Sequence, residues 1–120
     1  MKLRIQGNSI RVRLTQTEVN QLGEGVDCIS KLDFPNGHRL SYQISVAAEL
    51  GCTFSDNTIT VLLPETEVRG WATSDQVGIK GDLSLENGDK LSILVEKDFK
   101  CLTERAEDES DLFPNPKESH

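Results

Sequence analysis

The chain has 120 residues, 36% hydrophobic and 28% charged, with a formal net charge of −7. That length suits one compact domain burying roughly two-thirds of its unfolded surface, and the negative charge disfavours generic binding to nucleic acid or anionic lipid. No apolar run approaches the roughly 20 residues that span a bilayer, and the amino end, MKLRIQGNSIRVRL, alternates basic with apolar residues where a signal peptide needs a continuous apolar stretch, so the cytoplasm is the expected compartment.

Leu3 and Ile5 alternate with Lys2, Arg4 and Gln6, Gly7-Asn8 supply a turn, and Ile10, Val12 and Leu14 alternate with Arg11 and Arg13. This pattern predicts a half-buried hairpin. Thr15 to Glu18 has capping-box spacing, Val19 and Leu22 share a helical face, and Gly23 and Gly25 stop the short helix so begun. A second hairpin is expected from Val26 to Phe34 and from Arg39 to Val46, turning at Asn36-Gly37, the strongest two-residue turn signal.

The order then repeats. Strands are predicted at Cys52 to Phe54 and Thr58 to Leu63, a helix starting with Pro64 in its first turn and carrying Val68 and Trp71, then strands at Val77 to Leu85 and Leu91 to Val95 around Asn87-Gly88. The repeat is also literal: at an offset of 49, residues 8–19 (NSIRVRLTQTEV) meet 57–68 (NTITVLLPETEV) with 7 identities in 12, where unrelated sequences would share roughly one. At an offset of 51, NGHRLS meets NGDKLS with 4 identities in 6. The chain is therefore read as an internal duplication of a strand–strand–helix–strand–strand unit, about 1–48 and 50–97. The fold class is mainly β, a β-rich α+β protein whose units close on each other about a pseudo-twofold axis as a barrel or sandwich with two short helices. One open sheet with both helices on one face is the alternative. Residues 98–120 form an acidic tail in which Phe99, Leu102, Leu112 and Phe113 predict partial packing on the domain formed by 1–97.

Three places offer function. Lys2, Arg4, Arg11 and Arg13 should project from one outer face of the first hairpin, whereas their counterparts Gly51, Thr53, Thr60 and Leu62 are uncharged. Like charges on neighbouring strands invite an anion, although such charges also protect an edge strand. Glu107, Asp108, Glu109 and Asp111 in the tail would compete for that face or engage a basic partner. Cys101, with Glu96, Asp98 or the tail carboxylates, is the candidate metal ligand, and mixed sulfur and oxygen donors would favour zinc or another transition metal over calcium. Cys28, opposite Val77 or Ile79, and Cys52, opposite Leu3, fall at apolar strand positions and read as buried small hydrophobes. An odd number of widely spaced cysteines fits neither a disulfide framework nor a zinc ribbon. The tail lacks the Gly and closing Glu of an EF-hand, and the chain has no P-loop, GxGxxG, HExxH or GxSxG motif, so nothing positive supports an enzyme and no cofactor is expected.

The opening MKLRIQGNSIRVRLTQTEV and the ending LSILVEKDFKCLTERAEDESDLFPNP resemble a family of small bacterial proteins of this length, known only as a domain of unknown function. The resemblance spans nearly the whole chain. It implies a compact bacterial cytoplasmic protein whose acidic tail belongs to the domain, and it brings no activity, cofactor or site residue with it. The functional expectation is a non-enzymatic binding or regulatory module for a protein partner or anionic ligand, with neither nucleic acid nor membrane as partner. A metal- or thiol-dependent protein built around Cys101 is the alternative, and a homodimer through an unpaired strand edge is compatible with either.

Overall fold

The structure is a computed structural model that describes residues 1–100 and 110–114. Its elements follow in the order β1 (Lys2–Gln6), β2 (Ser9–Leu14), α1 (Gln16–Gly23), β3 (Cys28–Asp33), β4 (Arg39–Ala47), β5 (Gly51–Ser55), β6 (Thr58–Pro64), α2 (Glu65–Ala72), β7 (Gly78–Ser84) and β8 (Lys90–Lys97). The fold is mainly β, with two short helices. Two four-stranded sheets form, ordered β1-β2-β8-β7 and β3-β4-β6-β5. They do not close into a barrel, nor do they merge into one open sheet, so of the expected arrangements the sandwich is the one adopted.

Each sheet takes one hairpin from each half of the chain. At its centre the two hairpins meet as parallel neighbours, β2 with β8 and β4 with β6. Registers repeat with the sequence: Leu3 pairs with Val12 as Cys52 pairs with Val61, and Cys28 pairs with Ile44 as Ile79 pairs with Val95. The offset is thus 49 through the helices and 51 from β3 onward, which places the two-residue slip between helix and third strand and sets Cys28 against Ile79.

One core runs through both halves. Ile10, Val12 and Leu14 of β2 face Ile44, Val61, Leu63, Ile93 and Val95, while Val19 and Leu22 of α1 and Val68 and Trp71 of α2 close the end of the sandwich where β2 and β6 finish. The helices approach closely enough that a Cβ on Gly23 would stand 3.3 Å from the Cβ of Ala72. Thr15 caps α1 as its spacing predicts: Glu18 N–H donates to Thr15 Oγ1 at 3.3 Å, and Thr15 N–H donates to Glu18 Oε1 at 3.0 Å. Pro64, expected inside the first turn of α2, is instead its N-cap and the last residue of β6, and no side-chain hydrogen bond caps that helix.

The Asn-Gly turns also differ from expectation. Gly37 N–H donates to the Phe34 carbonyl and Phe34 N–H to the His38 carbonyl, so the loop has three residues, Pro35, Asn36 and Gly37. Leu85, Gly88 and Asp89 repeat that pattern. Gly37 and Gly88 take φ of +84° and +90°, the left-handed last position of a three-residue hairpin loop. A two-residue turn would need positive φ at Asn36 as well, and Pro35 before it favours the first position of a type I turn instead.

Beyond β8, described residues 98–100 and 111–113 lie against the domain. Asp98 N–H donates to the Leu14 carbonyl, Phe113 N–H to the Asp98 carbonyl and Lys100 N–H to the Phe113 carbonyl. Leu112 is buried, and the rings of Phe99 and Phe113 lie 5.9 Å apart. Among the described residues no helix is long and apolar enough to cross a membrane.

Candidate functional site

Alternation along the strands gives each sheet an inner apolar face and an outer one. On the first sheet the outer side chains form rows across the four strands. Lys2 and Arg13 stand directly opposite, followed by Glu96 and Gly78; Arg4 and Arg11 stand opposite, followed by Leu94 and Lys80; and Gln6, Ser9, Ser92 and Asp82 make the third row. The basic residues singled out in the first hairpin therefore do share a face, and Lys80, which hairpin reasoning missed, joins them from the far edge. Strand pairing across the duplication is the signal that would have found it.

The first row is neutralised from within. Glu96 Oε1 accepts from Arg11 Nε at 2.7 Å and from Arg13 Nε at 3.0 Å. Lys2 Nζ lies 2.9 Å from Asp98 Oδ2. Both carboxylates are almost wholly buried, 9% and 3% exposed, while their partners remain near 40% exposed at the side chain, so each acid is held under a cover of basic stems. Of the carboxylates placed with Cys101 in the metal reading, Glu96 and Asp98 are thus engaged in ion pairs. Cys101 itself, with Glu107, Asp108 and Glu109, lies outside the described residues. Among the described residues no group of three or more His, Cys, Asp or Glu could hold a metal ion.

The middle row is only partly neutralised: Glu96 holds its Arg11, while Arg4 and Lys80 have no acidic partner among the described residues. Arg4 Nη2 reaches only Gln6 Oε1, at 3.5 Å. Lys80 is exposed and makes no hydrogen bond or ion pair among the described residues. Together with Arg11, Gln6, Ser9, Ser92 and Leu94 they line an open groove of about 590 Å³ across the sheet. Its one acid, Asp82, accepts from Ser92 Oγ at 2.8 Å. The equivalent row on the second sheet reads Thr53, Thr60, Gln43 and Ile29, with no charge at all.

Asp111, the tail acid that the structure does describe, is not on this face. Its carboxylate accepts from Thr17 N–H at 3.3 Å and from Thr17 Oγ1 at 3.1 Å, at the start of α1, where the exposed N–H groups favour negative charge. Gln16 completes the contact, donating to the carbonyls of Asp111 and Leu112 at 2.9 and 2.8 Å.

The remaining thiols are structural. Cys28 is buried, and its Sγ lies 3.4 Å from the Glu18 carbonyl. Burial, reinforced by the charge of Glu18, pushes its pKa up to about 11. Cys52 differs from expectation in being only half-buried, because it faces inward on the edge strand β5, although burial raises its pKa too. Native Cys28 should therefore react far more slowly with iodoacetamide at neutral pH than after unfolding in urea, as followed by peptide mass mapping; equal rates would show that the thiol is accessible. Because its pKa rises on folding, the thiol's contribution to stability is intact below the unfolded value near pH 9 and is lost as pH climbs toward 11.

Fold and face together define a two-sheet, internally duplicated β-rich protein whose middle row of outer side chains is basic on one sheet and uncharged on the other. The chain belongs to the family of unknown function DUF7009, whose profile matches residues 1–117. No curated protein and no solved structure matches it.

Proposed function

We propose that the protein is a binding module that receives an acidic stretch of a partner protein on the outer face of its first sheet. The row Arg4–Arg11–Leu94–Lys80 carries this reading. Three strand spacings of about 4.8 Å set the unengaged Arg4 and Lys80 roughly 14 Å from each other across Arg11 and the apolar Leu94, so carboxylates spaced along an extended segment can meet both poles. The equivalent row on the second sheet carries no charge, so the strand frame itself does not call for these cations. Their mutual repulsion instead favours an anionic partner, and charge complementarity of this kind sets encounter rate and specificity.

The test is fluorescence anisotropy of a labelled polyglutamate peptide, with polylysine as control. Binding should be tightest at low salt and weaken as screening shortens the range of the charges to about 8 Å. Reversing the two unengaged cations, Arg4→Glu with Lys80→Glu, should weaken it about tenfold or more, each tenfold being 1.4 kcal/mol. Equal affinity in the wild type and the double variant would remove this face from the reading.

A further inference from the structure

The helices cover only one end of the sandwich. At the other, the inner faces of both sheets run out to the hairpin turns with large apolar side chains uncovered: Ile5 is 57% exposed, Leu32 50%, Phe34 46%, Phe54 66% and Leu85 39%. These positions obey the duplication, Ile5 corresponding to Phe54 and Phe34 to Leu85. Register joins them into one surface, since Ile5 is paired with Ile10, Phe54 with Ile59 and Leu32 with Leu40. Ile10, Leu40, Cys52, Phe54, Ile59 and Leu91 line a single cleft of about 350 Å³ between the sheets. Each molecule therefore carries an exposed aromatic ring beside an apolar slot.

The area speaks for a macromolecular cover. A large side chain exposes on the order of 200 Å² when free, so the five together present on the order of 500 Å², near the upper end of what the largest apolar patch on a monomer exposes. Adding the half-buried Leu40, Ile59, Leu83 and Leu91 brings the surface toward the roughly 800 Å² that a stable interface removes from each partner. The rim is polar and of mixed sign, with Asp33 paired to Arg39 and Asp56, Asp89 and Lys90 at the turns, so two copies can meet without a block of like charge. An apolar centre inside a polar rim is the usual anatomy of an interface.

The geometry points to a homodimer in which this open end is a self-complementary interface, with Phe54 of each copy seated in the inter-sheet cleft of the other. A twofold contact of this kind uses the same knob and the same slot on both sides and closes at two copies. It leaves the basic face free, so it stands or falls independently of the binding role proposed for that face.

Sedimentation velocity of the full chain over a wide concentration range tests the proposal. The mass should rise from that of the 13.3 kDa monomer to twice that value. Phe54→Asp should weaken association at least about thirtyfold, as expected for a central aromatic anchor, and keep the urea midpoint of the dilute wild-type monomer, because the ring is exposed there. Leu85→Glu, at the turn of another hairpin, should weaken association in the same direction, whereas Lys80→Glu should not change it. Cys52 supplies a second readout: its alkylation, mapped by mass spectrometry, should slow as the wild type is concentrated and be independent of concentration in Phe54→Asp. A wild type that stays monomeric throughout, a Phe54→Asp variant that dimerises as well as the parent, or a monomer whose native mass spectrum retains a small apolar molecule would each overturn it.

Discussion

Trp71→Ala should lower the unfolding free energy by about 3–5 kcal/mol, the range for emptying a buried aromatic site. The side chain has no accessible surface, and its indole N–H donates to the Val77 carbonyl at 3.0 Å. It therefore ties α2 to the segment that leads into β7 as well as filling the closed end of the sandwich. Its counterpart in the first half, Leu22, is equally buried but smaller, and Leu22→Ala should cost less, about 2–4 kcal/mol. A domain of this size commands about 5–15 kcal/mol in total, so Trp71→Ala alone removes about a fifth of it or more. Urea unfolding must be followed by far-UV circular dichroism, because Trp71 is the only tryptophan and its fluorescence leaves with it. A loss below about 1 kcal/mol would mean that the helical cap contributes little to the core.

The duplication made most of the fold legible. Alternation located all eight strands, and Thr15 with Glu18 located the first helix and its cap. Strand order was not legible, for a physical reason. Alternation says which side chains share a face but not which neighbour a strand pairs with. Here each hairpin pairs, through a parallel contact, with the hairpin that is its counterpart's partner in the other half. That exchange couples the halves more tightly than face-to-face packing of two separate units would. The Asn-Gly turns were misjudged because the dipeptide also suits the end of a three-residue loop; Pro35 favours that loop at the first turn, and the second adopts it with Glu86 in the same place.

For the charged face, the sequence sufficed to gather Lys2, Arg4, Arg11 and Arg13 on one surface, because a single hairpin settles their geometry. Lys80, Glu96 and Asp98 needed the parallel β2–β8 contact, which joins residues about eighty positions apart. Without that contact Glu96 and Asp98 looked like neighbours of Cys101 and hence like ligands. With it they are counter-ions, and the uncompensated positive charge of this face falls on Arg4 and Lys80 in the middle row.

That division of labour leads to the second large effect. Glu96→Gln keeps the volume and removes the charge that holds Arg11 and Arg13, and should destabilise the fold by about 1–3 kcal/mol at low salt. Breaking a fully buried pair costs about 3–5 kcal/mol, but these guanidinium groups are near 40% exposed and can turn to water, so the figure is discounted. The sign of the salt dependence is the diagnostic. In the wild type salt screens an attraction and should lower stability slightly. In Glu96→Gln, Arg4, Arg11 and Arg13 of the first hairpin repel one another without their counter-ion, while Lys2 keeps Asp98, so added salt should raise stability. The same change releases the Arg11 guanidinium into the groove, and the variant should bind polyglutamate several-fold more tightly while being less stable. Parallel loss of stability and affinity would instead mean that Glu96 orders Arg11 for its ligand. A change in neither would make the buried carboxylate a bystander, and with it the argument that the first row is balanced so that the second can bind.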